Sequence, residues 1–142
     1  MRIAAELIDE ILAHAREDAP TECCGVVAVR PGATARTPGE AVSVHRAINA
    51  AASPLRFEID PRTVLALISR IEEEDLELGA IYHSHTRTAA FPSQTDINFA
   101  ASWPGVEWII VGLAARNSTP EVRSFLIDAG EVREIALGAS EP

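Results

Sequence analysis

The 142-residue chain contains no lysine: its twelve basic side chains are all arginine, against twenty-one aspartates and glutamates, for a net charge of −9 at neutral pH. No segment gathers the arginines into a patch, and a surface of this sign repels phosphate, so nucleic acid is excluded as a partner. Cysteine is scarce as well. Cys23 and Cys24 are adjacent, which cannot build a disulfide framework, suits a reducing compartment, and leaves no distant thiol to complete a sulfur-ligated zinc set. Long apolar runs are missing: none approaches the roughly 20 residues that span a bilayer. Glu6, Asp9 and Glu10 also interrupt any signal-peptide pattern at the N-terminus. The expectation is a cytoplasmic protein with no membrane partner.

What is present reads as one domain of several strands with two or three helices, mostly hairpin-like rather than strictly alternating. Ile3, Leu7, Ile8, Ile11, Leu12 and Ala15 recur at helical spacing and predict a first helix that stops before Pro20. Residues 25–30 read as a buried strand. Pro31-Gly32 and Pro38-Gly39 bracket a turn-rich link, and Val42, Val44, Arg46 and Ile48 alternate as a second strand. Asp60-Pro61 is a helix start, an N-cap followed by proline, with Val64, Leu67, Ile68 and Ile71 on one face and the solvated run Glu72 to Asp75 at its end. Residues 79–85 and 107–113 read as strands. Residues 123–127 and 131–135 form a hairpin joined through Asp128-Ala129-Gly130. These elements predict an α+β (mixed α/β) layered domain over residues 1–137, with 138–142 as a frayed C-terminal tail.

The chemistry concentrates between His83 and Asp96. On a strand, residues two apart share a face, so His83 and His85 point one way and Ser84 the other. Asp96 would close a His2Asp set, and a zinc ion with three protein ligands keeps a fourth position for water. Ser93-Gln94-Thr95-Asp96 before Ile97 is also a capping-box pattern, Ser93 at the N-cap and Asp96 three residues on. The two readings are compatible, because a helix start fixes the backbone that carries the ligand. His14, on the polar side of the first helix, and His45, beside Arg46, read as surface or structural residues. Trp103, Trp108 and Phe99 read as packing residues, and Phe91 as a loop residue able to touch substrate.

His83-Ser84-His85, then seven residues, Ser93, two residues and Asp96, with Glu22 upstream, resembles the JAMM (MPN+) metallopeptidase signature. Thr21 to Val26, Asn49 with Phe57 to Asp60, and Arg123 to Phe125 extend the resemblance over roughly Ile3 to Ile135. Thr86 stands where many members carry proline, and the string is most similar to the bacterial sulfur-carrier-protein cysteine hydrolases. The resemblance implies a single JAMM/MPN-type domain, a curved, mainly antiparallel sheet flanked by two or three helices. It implies Zn2+ held by His83, His85 and Asp96, with Glu22 as general base and Ser93 as oxyanion donor. Ser84 and Thr86 are weaker candidates for that last role, and Cys24 is a small buried filler beside the site.

The function implied is hydrolysis of the amide joining the C-terminal Gly-Gly of a ubiquitin-like sulfur-carrier protein to cysteine, in a cysteine-biosynthetic route. An isopeptidase removing such a modifier from lysine side chains is the alternative. A non-catalytic assembly module would lack one or more of Glu22, His83, His85, Ser93 and Asp96, and all five are present. A homodimer is compatible with all of these readings.

Overall fold

A computed structural model of the chain describes residues 1–33, 37–114 and 119–139. In chain order these form β1 (Arg2–Ile3), α1 (Ala5–Asp18), β2 (Cys24–Val29), β3 (Ala41–Ala47), α2 (Pro61–Glu73), β4 (Glu77–His85), α3 (Gln94–Ala100), β5 (Glu107–Gly112), β6 (Glu121–Asp128), β7 (Glu131–Ile135) and β8 (Gly138–Ala139). Six strands make one sheet in the order β3-β2-β4-β5-β6-β7, with β1 and β8 in a separate pair. Within the large sheet every pairing is antiparallel except β4 with β5. Parallel neighbours cannot be joined by a tight turn, so the chain leaves β4 at His85, crosses through α3 and returns as β5. No helix among the described residues is long and apolar enough to cross a membrane.

The sheet is the middle of three layers. On one side Ile11 and Ala15 of α1 pack with Cys23, Val27, Tyr82, Ile109 and Val111. On the other, Leu67, Ile71 and Ala100 of α2 and α3 pack with Cys24, Val26, Ile81, Trp108, Ile110 and Phe125. Burial on both faces explains why β2 is buried throughout and reads as an unbroken apolar run rather than an alternating one. The adjacent cysteines divide between the two layers, and burial raises their thiol pKa values to about 11 for Cys23 and about 12 for Cys24. Both are small apolar fillers with no thiolate character at neutral pH.

Local chemistry sets the element ends much as the sequence predicts. Asp60 caps α2 by accepting from the Arg62 N–H at 2.8 Å, with Pro61 in the first turn. The β6–β7 hairpin turns through Ala129 (φ 50°) and Gly130 (φ 80°), the doubly left-handed geometry that matches the twist of paired strands. Two expectations need correction. Gly138 and Ala139 are not frayed: they form β8, in register with Arg2 and Ile3, while residues 140–142 lie outside the described residues.

His14 is not on a polar, exposed side of α1 but is 3% exposed, because it shares a face with Ile11 and Ala15. Its Nε2 lies 3.1 Å from the Asp18 carboxylate and its Nδ1 2.7 Å from the Tyr82 hydroxyl. A carboxylate only accepts, so Nε2 donates to Asp18 and Nδ1 accepts from Tyr82. The neutral ring is thereby fully satisfied, and burial, opposed by Asp18, lowers its pKa. Stability owed to neutral His14 is therefore complete above about pH 6.5 and is lost as pH falls below it, since the unfolded chain takes up a proton that the fold disfavours. His14→Gln should cost roughly 1–3 kcal/mol at pH 8. Denaturation series at pH 8 and 5.5 should show the gap between parent and variant narrowing in acid, and a widening gap would mean His14 is protonated in the fold.

Candidate metal centre

The site lies where β4 ends and α3 begins. Along β4, Ala80, Tyr82 and Ser84 face the α1 layer, while Ile81, His83 and His85 face α2 and α3. His83 sits opposite Cys24 of β2 and Ile110 of β5, with no exposed surface. Its ring stacks on Phe57 at 4.5 Å and 26°. Ser84 turns away and ties β4 to the residue that leads into β2: its Oγ accepts from the Cys23 N–H at 2.8 Å.

The capping box forms in full. Ser93 Oγ accepts from the Asp96 N–H at 3.1 Å, and Asp96 Oδ2 accepts from the Ser93 N–H at 2.9 Å. The same Oδ2 lies 3.1 Å from His83 Nε2 and 3.1 Å from His85 Nε2, and the two ring nitrogens are 3.2 Å apart. His85 Nδ1 meets the Ala89 carbonyl at 2.9 Å. A carbonyl only accepts, so Nδ1 carries a proton in either charge state: the protonated ring donates from Nε2 to Asp96, and a neutral ring would turn the Nε2 lone pair inward, as a metal ligand must.

These three atoms form a nearly equilateral triangle. Tetrahedral zinc with bonds of about 2.0–2.1 Å separates its ligand atoms by roughly 3.3 Å, so the donor set and its spacing fit such an ion. The electrostatics agree. Burial alone would raise the Asp96 pKa, but hydrogen bonds from His83 and His85, aided by the Ser93 N–H, hold it well below the usual carboxylate range. Burial lowers the pKa of His83, whereas for His85 the Asp96 and Ala89 hydrogen bonds outweigh burial and raise it.

Glu22 reaches the same place from 61 residues earlier in the chain. A carboxylate oxygen of Glu22 and one ring nitrogen each of His83 and His85 all lie within 4.8 Å of one another. Glu22 is 3% exposed, and burial raises its pKa to about 7, with His85 opposing and Asp96 reinforcing the shift. Two carboxylates thus border the histidines. Asp96 makes the close 3.1 Å contacts to both rings, and Glu22 stands further back with a pKa suited to proton transfer near neutrality.

Asn49 holds the Glu22 backbone. Its Nδ2 donates to the Glu22 and Arg56 carbonyls, both at 3.0 Å, and its Oδ1 accepts from the Ala51 and Glu58 N–H groups, also at 3.0 Å. Asn49 falls within the family resemblance, but a lone asparagine among small residues gives no signal of this role. Thr86 spends its hydroxyl within 3.2 Å of the Pro20 and Pro54 carbonyls, joining the two loops that flank Glu22. Its one hydroxyl hydrogen is committed to these carbonyls. Phe91 is half exposed and leans edge-on against Phe125 at 5.4 Å.

A mixed α+β fold with a histidine–carboxylate cluster at the end of its central strand defines the class of protein, and sequence comparison gives the family. Residues 4–128 match the family described as prokaryotic homologs of the JAB domain (Prok-JAB), and the chain belongs to it. Over 139 residues it is 35% identical to the CysO-cysteine peptidase of Mycobacterium tuberculosis, covering 98% of this chain and 90% of that protein. It is 36% identical over 126 residues to the desampylase of Haloferax volcanii, covering 85% and 86%. A solution structure of a Desulfitobacterium hafniense protein superposes with a TM-score of 0.87 at 29% identity, covering 99% of this chain and 93% of that one.

The parent protein should bind one divalent ion per chain and melt higher with it. Equilibrium dialysis and thermal melts should show both effects lost in the His83→Ala, His85→Ala double variant. Retention of a stoichiometric ion in that variant would place the metal elsewhere.

Proposed function

We propose that the chain is a zinc-dependent hydrolase that cleaves the amide bond after the C-terminal glycine of a ubiquitin-like sulfur-carrier protein, releasing cysteine. The observation that carries the hydrolase reading is the 3.1–3.2 Å convergence of His83, His85 and Asp96 beside buried Glu22. The substrate is supported by the CysO-cysteine peptidase relative, whose alignment spans nearly the whole of both chains. The desampylase relative, at similar identity, favours the second reading, in which a ubiquitin-like modifier is removed from protein lysines. The two share one chemistry and differ in the leaving amine.

His83, His85 and Asp96 would hold the zinc, which when bound supplies Lewis acidity to a water molecule and to the scissile carbonyl. The rest of the work falls to the chain. Glu22, uncharged or ionised with comparable ease near pH 7, takes a proton from the attacking water and passes it to the departing amine. The water oxygen bonds to the carbonyl carbon, the carbon–nitrogen bond breaks, and the amine leaves protonated. Ser93 Oγ already accepts from the Asp96 N–H, so its own hydrogen is free to meet the negative oxygen of the tetrahedral intermediate. Phe57 and Trp108 around His83 keep bulk water from that side of the site.

Glu22→Gln should retain fold and zinc yet lower turnover by about 10²–10⁴, the usual worth of a general base. Near-normal turnover in the zinc-loaded variant would move that role to another group. Ser93→Ala should lose about 1 kcal/mol of stability as a cap and, as an oxyanion donor, a further 10²–10³ or so in turnover. Stability lost with turnover intact would leave Ser93 as a cap alone.

The substrate reading is tested by comparing kcat/KM for a Gly-Gly-ending carrier joined to cysteine with that for the same carrier joined to a protein lysine. The carrier body supplies binding energy remote from the scissile bond, and a cysteine leaving group needs only a small space, so the cysteine conjugate should be cleaved faster. Faster cleavage of the lysine conjugate selects the second reading, and cleavage of neither removes both.

A further inference from the structure

Gly112 ends β5 and lies opposite His85 in the β4–β5 register. The space beside it is already taken. A β-carbon at this position would stand 3.0 Å from the Ala90 backbone nitrogen and 3.1 Å from the Ala90 β-carbon. Ala90 has no exposed surface. Its neighbour Ala89 supplies the carbonyl that receives the His85 Nδ1–H at 2.9 Å.

We propose that Gly112 is a positioning residue for the metal centre. Its missing side chain lets the 86–92 loop seat against the end of β5, so that Ala89 fixes the tautomer and orientation of His85. The inference rests on the reading of His83, His85 and Asp96 as metal ligands.

Two features make the coupling tight. The Leu113 N–H donates to the His85 carbonyl at 2.9 Å, so the end of β5 cannot retreat from His85 without breaking a strand bond. On its outer side the loop is held by Phe91, whose ring packs on Phe125 at 5.4 Å and beneath the Arg123 guanidinium at 5.9 Å. A β-carbon at Gly112 therefore pushes on backbone that has little room to slide. The Ala89–His85 hydrogen bond, at an optimal length, is the contact free to lengthen. His83, by contrast, has an Nδ1 with no hydrogen-bond partner among the described residues and relies on the Phe57 stack. Of the two imidazoles, His85 is the one whose aim depends on the loop.

Zinc affinity, measured by competition with a chromogenic chelator, should fall about tenfold in Gly112→Ala and toward a hundredfold in Gly112→Val, the range seen when an outer partner of a metal-bound histidine is disturbed. The visible spectrum of the cobalt-substituted protein should shift in step. Gly79→Ala is the control: Gly79 lies toward the opposite end of β4 from His85, a β-carbon there crowds Val29 of β2, and the variant should lower stability while leaving affinity and spectrum unchanged. Ala90→Gly placed in the Gly112→Ala background removes the 3.1 Å contact and should restore part of the affinity, which also keeps the test open if Gly112→Ala alone folds poorly. Parent-like zinc affinity and cobalt spectrum in folded Gly112→Ala, or no recovery in the double variant, overturns the proposal. Failure of the parent to bind zinc would instead remove the ligand reading, and this inference with it.

Discussion

Asp96 Oδ2 receives three groups in a space almost closed to solvent: the Ser93 N–H at 2.9 Å and the His83 and His85 rings at 3.1 Å each. The rest of the site follows from how the fold brings a helix start to that point. Because β4 and β5 run parallel, their connection must cross over the sheet rather than turn back, and α3 is the crossover. Its first turn therefore lies over the end of β4. The capping box then aims the carboxylate with the same hydrogen bonds that start the helix, so cap and site are one arrangement.

Local rules carried far in this sequence because the site is mostly local. His83, His85, Ser93 and Asp96 fall within fourteen residues, and two facts of backbone geometry, strand alternation and the capping box, suffice to bring them together. The Asp60-Pro61 helix start and the β6–β7 turn were legible for the same reason. What could not be read depends on contacts distant in the chain. Helical periodicity alone ranks His14 as polar and turns it outward. Its burial is stabilised by Tyr82, 68 residues away, which no local pattern reveals. Likewise β8 exists because β1 offers an edge to pair with.

Glu22 shows the limit most clearly. Many carboxylates in this acidic chain could serve as a base by type, and spacing cannot choose among them. What sets Glu22 apart in the structure is Asn49, whose four hydrogen bonds at 3.0 Å gather the Glu22 and Arg56 carbonyls and the Ala51 and Glu58 amides onto one side chain. A buried amide with every bond satisfied is a rigid knot, and it fixes where the glutamate enters the site. The low-polarity surroundings then raise the carboxyl pKa to about 7.

The charge balance of this pocket argues for a cation as part of the folded state. Asp96 is held ionised, burial pushes His83 toward its neutral form, and the Asp96 and Ala89 hydrogen bonds push His85 toward its protonated form, so the buried carboxylate is balanced only by a proton on His85 until a metal ion takes its place. A neutral His85, its proton on Nδ1, would turn the Nε2 lone pair toward Asp96 Oδ2 at 3.1 Å, a contact between two acceptors. Buried charge and unshared lone pairs are costly, and one divalent ion relieves both at once. Such an ion also stabilises the fold, because the unfolded chain scatters its ligands. Ionised Glu22 would add a second negative charge, so an ion that relieves the triangle would also ease ionisation of Glu22, the proposed base. The groups proposed to bind the ion and the carboxyl proposed to move the proton are thus coupled through one electrostatic cause rather than through separate devices.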